Sequence, residues 1–99
     1  MDIYKKDIIA GTDAQWAVGD NRKDAFISGV YSIIRGRLRQ TGQIDISSDG
    51  DYSSAFVGPT CGVGIYGSVS SNKILLKVTA DNSDSNITSV KFSLKKVTI

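Results

Sequence analysis

The sequence predicts an all-β fold, an antiparallel, jelly-roll-like β-sandwich of about seven or eight strands. Ile and Val together supply 20 of the 99 residues, against only four Leu, and β-branched side chains favour strands. All ten acidic residues are Asp, which prefers turns and caps to helix interiors. Turn signals rich in Gly, Ser and Asn recur about every 8–12 residues, the spacing of sandwich and barrel strands.

The length and charge of the chain limit its domain organisation and its partners. A chain of 99 residues is long enough to form one domain without disulfides or a metal. We expect residues 1–24 to form an N-terminal arm or first strand and residues 25–99 to form the sandwich. Cys61 is the only cysteine, so no intrachain disulfide forms. A net charge of +2 and a pI near 8.8 are only mildly basic, which makes nucleic acid an unlikely partner.

No cofactor, metal or membrane insertion is expected from the composition. The chain contains no histidine, the commonest metal ligand, and no glutamate. Its first seven residues lack the basic and apolar regions of a signal peptide. The longest apolar runs are three or four residues, far short of a transmembrane helix. The sequence therefore predicts a soluble protein.

The first 24 residues contain weak signals for both strand and helix. Apolar residues at positions 3, 4, 8 and 9 predict a short first strand or arm. Turn signals at 11–13 and 19–21 enclose Trp16 and Val18. A short helix over 12–18, with Thr12 or Asp13 as its N-cap, is an additional prediction for this region.

Residues 25–39 are predicted to form one long strand. The apolar series at even positions includes Val30 and Ile34, and the odd positions carry three arginines. A period of two places the even series inward and aligns Arg35, Arg37 and Arg39 outward, about 6.6 Å apart. Gly29 and Gly36 are expected at bends or bulges of this strand.

The rest of the chain reads as strands separated by turns. A turn at Thr41-Gly42 leads into a strand over 43–47, in which Ile44 and Ile46 share one side. The remaining predicted strands are 52–57, 61–69, 73–80 and 87–99, separated by turns at 49–50, 58–59 and 70–72 and by a polar loop at 81–86. The alternation breaks near the C-terminus. A bulge near Lys95-Lys96, or burial of Val97 and Ile99 against a partner subunit, would account for the break.

The candidate ligand-binding residues combine guanidinium groups with amphipathic aromatic rings. Guanidinium groups suit carboxylates and phosphates, although a row of them is equally typical of a solvated face. Trp and Tyr rings can stack on sugars, and more often they form core edges or interface anchors. The candidates are Arg35, Arg37, Arg39, Tyr31, Trp16 and Tyr52.

Two motifs that suggest chemistry have simpler explanations. Residues 62–67 match the dinucleotide fingerprint G-x-G-x-x-G, but the following residues predict a turn and a strand rather than the required helix. Residues 45–51 resemble half a calcium loop, but the bidentate carboxylate position is occupied by Phe56. A serine or cysteine nucleophile needs a positioned base, and the chain has no histidine. We therefore expect a protein without enzymatic activity.

Residues 28–99 resemble the C-terminal receptor-binding or head domains of tailed-phage tail fibres. The similar segments are AFISGVYSIIRGRL, DISSDGDYSSAF, CGVGIYGSV and the ending KILLKVTADNSDSNITSVKFSLKKVTI. The resemblance implies a β-sandwich that acts as a homotrimer and adheres to a host surface glycan or protein. It also implies a location on the virion or outside the cell.

Two other functions fit the same sequence. One is a small monomeric phage-encoded inhibitor that caps another protein's functional surface inside the producing cell. The other is a structural virion protein without an external ligand. The start at Met1 favours the inhibitor, whereas the out-of-phase Val97 and Ile99 favour burial in an oligomer.

Overall fold

The computed structural model describes residues 1–20, 25–47, 52–57, 60–82 and 85–98, with the backbone alone described at 25 and 52–57. The regular structure of these residues is entirely β. The strands are β1 (Asp2–Lys5), β2 (Asp13–Asp20), β3 (Ala25–Arg35), β4 (Leu38–Ile46), β5 (Tyr52–Val57), β6 (Val63–Ser70), β7 (Lys73–Ala80) and β8 (Ser89–Thr98). The predicted all-β class is confirmed. No helix in these ranges is long and apolar enough to cross a membrane.

The strands form two antiparallel sheets. The larger sheet has the order β1-β8-β3-β4-β5, and the smaller has the order β2-β7-β6. In each sheet an N-terminal strand lies beside a C-terminal strand, β1 beside β8 and β2 beside β7. This wrapping of the two chain ends is the jelly-roll-like part of the fold. The first 20 residues thus contribute a strand to each sheet.

The apolar core lies between the two sheets. The alternation predicted for β7 and β8 is confirmed, because one side of each strand is buried. These buried residues are Ile74, Leu76 and Val78 on β7 and Val90, Phe92 and Leu94 on β8. The ring centroids of Trp16 and Phe92, which belong to different sheets, are 6.4 Å apart. The pairing of buried apolar faces is what holds the sheets together.

The short helix predicted over 12–18 is wrong. These residues belong largely to β2, which pairs with β7 from Asp13↔Thr79 onward. Ala14 and Val18 are buried and Trp16 is partly buried, so the apolar residues follow a period of two. Pairing with β7 satisfies the backbone of this segment, and this long-range contact overrides the local helix signal.

The single strand predicted over 25–39 is also wrong. It is a hairpin: β3 ends at Arg35, Gly36-Arg37 form the turn, and β4 begins at Leu38. Gly36 has a φ of +60°, and a left-handed glycine at the first central position is typical of a type II′ turn. The turn predicted at Thr41-Gly42 is wrong, because both residues lie inside β4, where Gly42 pairs with Tyr31.

The two faces of β3 are the reverse of the prediction. Tyr31, Ile33 and Arg35 are buried, whereas Val30 is 55% exposed on the outer face. Both the odd and the even series contain apolar residues, so the predicted orientation depended on the assumption that Arg35 lies on the outer face. That choice fails because the interior supplies enough acceptors for the Arg35 guanidinium.

Neither predicted bulge along β3 and β8 exists. Their pairing runs without a register shift from Ala25↔Thr98 to Ile34↔Ser89. Gly29 is needed for another reason, since a Cβ there would lie 2.2 Å from the Ser93 carbonyl oxygen. Because the register of β8 does not shift near Lys95-Lys96, Val97 lies on the outer face, where it pairs with Phe26.

The turn predicted at 70–72, which connects β6 and β7 in the smaller sheet, is confirmed. Ser71 and Asn72 have φ values of +52° and +63°, as the two central residues of a type I′ hairpin require. The G-x-G-x-x-G segment runs into β6, which confirms its interpretation as strand. The turns predicted at 49–50 and 58–59 lie outside the described residues.

Candidate functional site

The strand directions bring four connections together at one end of the sandwich, which we call the Arg35 end. They are the β1–β2, β3–β4, β5–β6 and β7–β8 connections. Loops gathered at one end of a rigid sandwich are a common location for binding sites. The opposite end carries the β2–β3, β4–β5 and β6–β7 connections.

Arg35 is the central residue of this end. Its side chain is fully buried and makes five hydrogen bonds to groups of the neighbouring loops. Nε donates to the Ser85 carbonyl oxygen. Nη1 donates to the carbonyl oxygens of Cys61 at 3.2 Å and Gly62 at 2.9 Å. Nη1 also reaches Oδ1 of Asp81 at 2.8 Å, and Nη2 donates to the Asp81 carbonyl oxygen at 2.8 Å.

This arrangement explains how a charged side chain is accommodated inside the fold. The planar guanidinium presents five N–H donors in a fixed geometry, which suits several carbonyl groups at once. The carboxylate of Asp81 supplies the balancing charge and is itself 48% exposed. A buried charge that is both paired and hydrogen-bonded is tolerated, whereas an unpaired one is not. Arg35 thus joins the end of β3 to the 60–62 and 81–85 segments.

The β1–β2 connection is attached to the same end by other contacts. Ile8 and Ile87 form an isolated antiparallel bridge. The Ala10 N–H donates to Oδ1 of Asn86 at 2.9 Å, and the Gly11 N–H donates to the Ala80 carbonyl oxygen at 2.9 Å. These contacts and those of Arg35 therefore hold described parts of the β1–β2, β5–β6 and β7–β8 connections.

A second buried network lies beneath the 60–62 segment. Gln40 donates through Nε2 to the Tyr31 hydroxyl at 3.0 Å. The Cys61 N–H donates to Oε1 of Gln40 at 3.1 Å. Gln40 is only 3% exposed, so its amide joins β4, β3 and the segment that precedes β6 inside the core. Cys61 is itself buried in the apolar core.

Burial of Cys61 gives a testable pH dependence. Burial raises the pKa of its thiol above the ordinary value, and the Arg35 charge only partly opposes this. The folded state therefore holds the thiol proton more tightly than the unfolded state does. The contribution of the thiol to stability is fully present below the unfolded pKa, about 8.5, and declines as the pH rises through the folded value.

We expect the difference in unfolding free energy between wild type and Cys61→Ala to shrink as the pH rises above about 8.5. Urea unfolding of both proteins at a series of pH values measures this difference. The variant corrects for the titration of Tyr and Lys, which both proteins share. A difference that stays constant over this range would contradict the buried, protonated thiol.

The structure separates the three arginines of the predicted ladder. Arg35 is buried and donates to the loops at this end, so the prediction of three exposed, aligned guanidinium groups is wrong. Arg37 and Arg39 are exposed, the first in the hairpin turn and the second in β4. Both lie at the Arg35 end, together with the exposed polar residues Asn82 and Ser85.

The predicted aromatic candidates do not form one surface. Tyr31 is a core residue that packs against Phe92 at a centroid distance of 5.4 Å. Trp16 packs against the core from the other sheet. The side chain of Tyr52 and all of Ile99 lie outside the described residues. Val97 is half-buried on the outer face of the larger sheet.

Sequence reasoning missed Gln40, Asp81 and Asn86, which hold the loops. The strand predicted over 25–39 continues through the β3–β4 turn, so it does not place Gln40 in a second strand beside β3. Asp81 and Asn86 fall in the predicted polar loop at 81–86. The left-handed Gly62, at +68°, is one signal of a close approach, because a Cβ there would meet the Asp81 carboxylate at 2.6 Å. The sequence contained that glycine but not the identity of its neighbour.

A second, flatter surface lies on the outer face of the larger sheet. A shallow trough of about 360 Å³ runs over β1, β8 and β3, and its polar rim includes Asp2, Ser32 and Lys91. Tyr4 borders this region, with the Lys91 ammonium 5.3 Å and the Lys6 ammonium 5.8 Å from its ring centroid. The walls of the trough are side chains of regular strands, whereas the Arg35 end also presents backbone groups of the loops.

Comparison with known proteins identifies no relative of this chain. No protein-family model matches the chain, and no curated protein and no solved structure is significantly similar to it.

Proposed function

We propose that this protein is a non-enzymatic binding module, of the kind found at tail-fibre tips, that uses its Arg35 end to contact a host surface glycan or protein. The observation that carries the proposal is the buried Arg35 side chain, which links β3 to two neighbouring connections at once. Such an arrangement holds exposed loop groups in place before any ligand arrives.

Preorganisation is the physical advantage of this end. Ordering a loop on binding costs roughly 0.5–1.5 kcal/mol for each flexible side chain that becomes fixed. Loops already attached to a rigid sandwich avoid part of this cost. The exposed Arg37 and Arg39 supply positive charge at the same end of the sandwich as the exposed residues Asn82 and Ser85. This combination suits carboxylate, phosphate or hydroxyl groups of a surface ligand.

The proposal includes the location that the resemblance implies. A tail-fibre tip would be a homotrimer on the virion or outside the cell, and Val97 would be available as a contact beside Phe26 on the outer face. Binding at the Arg35 end does not depend on the number of subunits.

The test begins with fluorescently labelled protein applied to a glycan array and to a panel of intact bacterial cells. On any positive probe we compare Arg37→Asp/Arg39→Asp with wild type. Removing two exposed cations and adding two anions should lower binding at least tenfold, with the greatest loss at low salt. Lys95→Asp/Lys96→Asp is the matched control, because it makes the same change of charge on exposed residues toward the opposite end of β8.

Equal binding by wild type and the Arg37/Arg39 variant, with a loss in the Lys95/Lys96 variant, would contradict the assignment to the Arg35 end. Absence of binding to every glycan and every cell, together with capture of one intracellular protein, would favour the inhibitor function instead.

A further inference from the structure

β6 forms an open edge of the smaller sheet. The sheet order is β2-β7-β6, so among the described strands β6 pairs only with β7. Alternate residues of such an edge direct backbone N–H and C=O groups away from the sheet, where they can pair with another strand. The eight residues of β6 are VGIYGSVS, a sequence without a charged residue or a proline.

Natural proteins usually protect an open edge by one of a few devices. These include a very short strand, charged residues, a proline or a bulge. β1 is only four residues long and contains Asp2 and Lys5. β2 contains Asp13 and Asp20 and has a register irregularity between Ala17 and Gly19. Both strands are therefore protected.

β6 has none of these devices. Its pairing with β7 is regular over its whole length, from Val63↔Ala80 to Ser70↔Lys73. It is twice as long as β1. β5 also lacks charged residues in its sequence, but its side chains lie outside the described residues. Among edges with described side chains, β6 alone is long, regular and neutral. An edge of this type is a template for pairing with a strand of another chain.

We infer that β6 pairs with the β6 strand of a second copy of this chain, in an antiparallel two-fold contact that joins two three-stranded sheets into one. A neutral strand is compatible with its own copy, because no like charges meet across the two-fold axis. A strand with aspartates at both ends, such as β2, would place unfavourable or unpaired charges near its copy.

The alternation of β6 selects the register. Ile65 is buried and Val69 packs against the core, whereas Tyr66 and Ser68 are exposed on the outer face. A register centred on Gly67 places Ile65 opposite Val69 of the second copy and Tyr66 opposite its Ser68. In this register, residues on the inner face lie opposite residues on the inner face of the second copy. A shift of one residue would place inner residues opposite outer ones. The Tyr66 ring lies back over Gly64 in its own strand, near Thr79 on β7.

The contact is two-fold, so it is an alternative to the homotrimer of the resemblance. It leaves the Arg35 end free, and the proposed binding function holds with either assembly. A single pair of edge strands makes a small interface, for which we expect concentration-dependent association rather than a permanent dimer.

Sedimentation equilibrium of the full chain over about 10 µM to 1 mM tests the inference, since small interfaces typically associate in this range. The average mass should rise from the 10.6 kDa of one chain towards twice that value. Ser68→Lys and Ser68→Asp should each weaken association about fivefold, because two like charges would lie diagonally across the axis about 7–8 Å apart. An equimolar mixture of the two variants should restore association, which a folding defect could not produce.

Gln15→Lys is the matched control, because Gln15 is exposed on β2, at the opposite edge of the same sheet. Its association should equal that of wild type. A monomer at every concentration, a trimer, or a dimer unaffected by both Ser68 substitutions would each overturn the inference.

Discussion

Arg35→Met should destabilise the folded protein by about 2–4 kcal/mol, because it removes the hydrogen bonds that the buried guanidinium donates to the neighbouring loops. Methionine fills the space of the Arg35 side chain as far as Nε, so most of the expected loss comes from the missing hydrogen bonds. Without the guanidinium, the carbonyl oxygens of Cys61 and Ser85 lose the donor that Arg35 supplies. Those of Gly62 and Asp81 keep a second donor, the N–H groups of Asp81 and Gly11. Buried acceptors without partners cost about 1–3 kcal/mol each unless water reaches them. Urea unfolding monitored by Trp16 fluorescence measures the difference.

Arg37→Met is the matched control for this prediction. Arg37 is exposed in the adjacent turn, where a substitution typically changes stability by no more than about 0.5 kcal/mol. Equal stability of Arg35→Met and Arg37→Met would show that the Arg35 contacts contribute nothing to the fold. Because of this expected loss, Arg35 is unsuitable for a binding test, and that test uses Arg37 and Arg39 alone.

Gly29→Ala should lower the unfolding free energy by about 3 kcal/mol or more, at the upper end of the usual range for overpacking. The added Cβ would lie 2.2 Å from the Ser93 carbonyl oxygen and 2.9 Å from the Leu94 Cα. Both are backbone atoms of β8, which pairs with β3 on either side of this position. The methyl group can therefore be accommodated only if β8 moves away from β3 at the centre of the larger sheet.

Gly19→Ala is the control with the same chemical change. A Cβ at Gly19 would meet Cδ1 of Ile27 at 3.0 Å, the flexible end of a side chain that can rotate away. We expect a loss of no more than about 1 kcal/mol in this variant. Similar unfolding midpoints for the Gly29 and Gly19 variants would contradict the close approach of β8 to β3.

The sequence predicted strands well where only one face is apolar. On β7 and β8, lysines alternate with large apolar residues, and the orientation that this pattern predicts is the one observed. On β3 both faces are apolar, with Val30 and Ile34 opposing Tyr31 and Ile33. The periodicity alone could not choose between the faces, and the assumption that arginine lies outside chose wrongly.

The candidate site was less predictable than the fold because it depends on contacts between distant residues. Arg35 meets Asp81, which is 46 positions away, and Ala10 meets Asn86, which is 76 positions away. No local pattern encodes such pairs. The Gly36-Arg37 turn was missed for a related reason, since alternating apolar and polar residues continue through it without a Pro or Asn to mark the reversal.

Amide hydrogen exchange can show whether Arg35 holds the loops of one end in a fixed arrangement. The measurement compares wild type with Arg35→Lys, which keeps the charge but not the planar set of five donors. We predict slow exchange in wild type for the amides of Cys61 and Asp81, whose N–H groups are hydrogen-bonded. In Arg35→Lys these amides should exchange at least tenfold faster, while amides at the centres of β3 and β8 change only as far as global stability falls. Unchanged protection at Cys61 and Asp81 in the variant would contradict this role of Arg35.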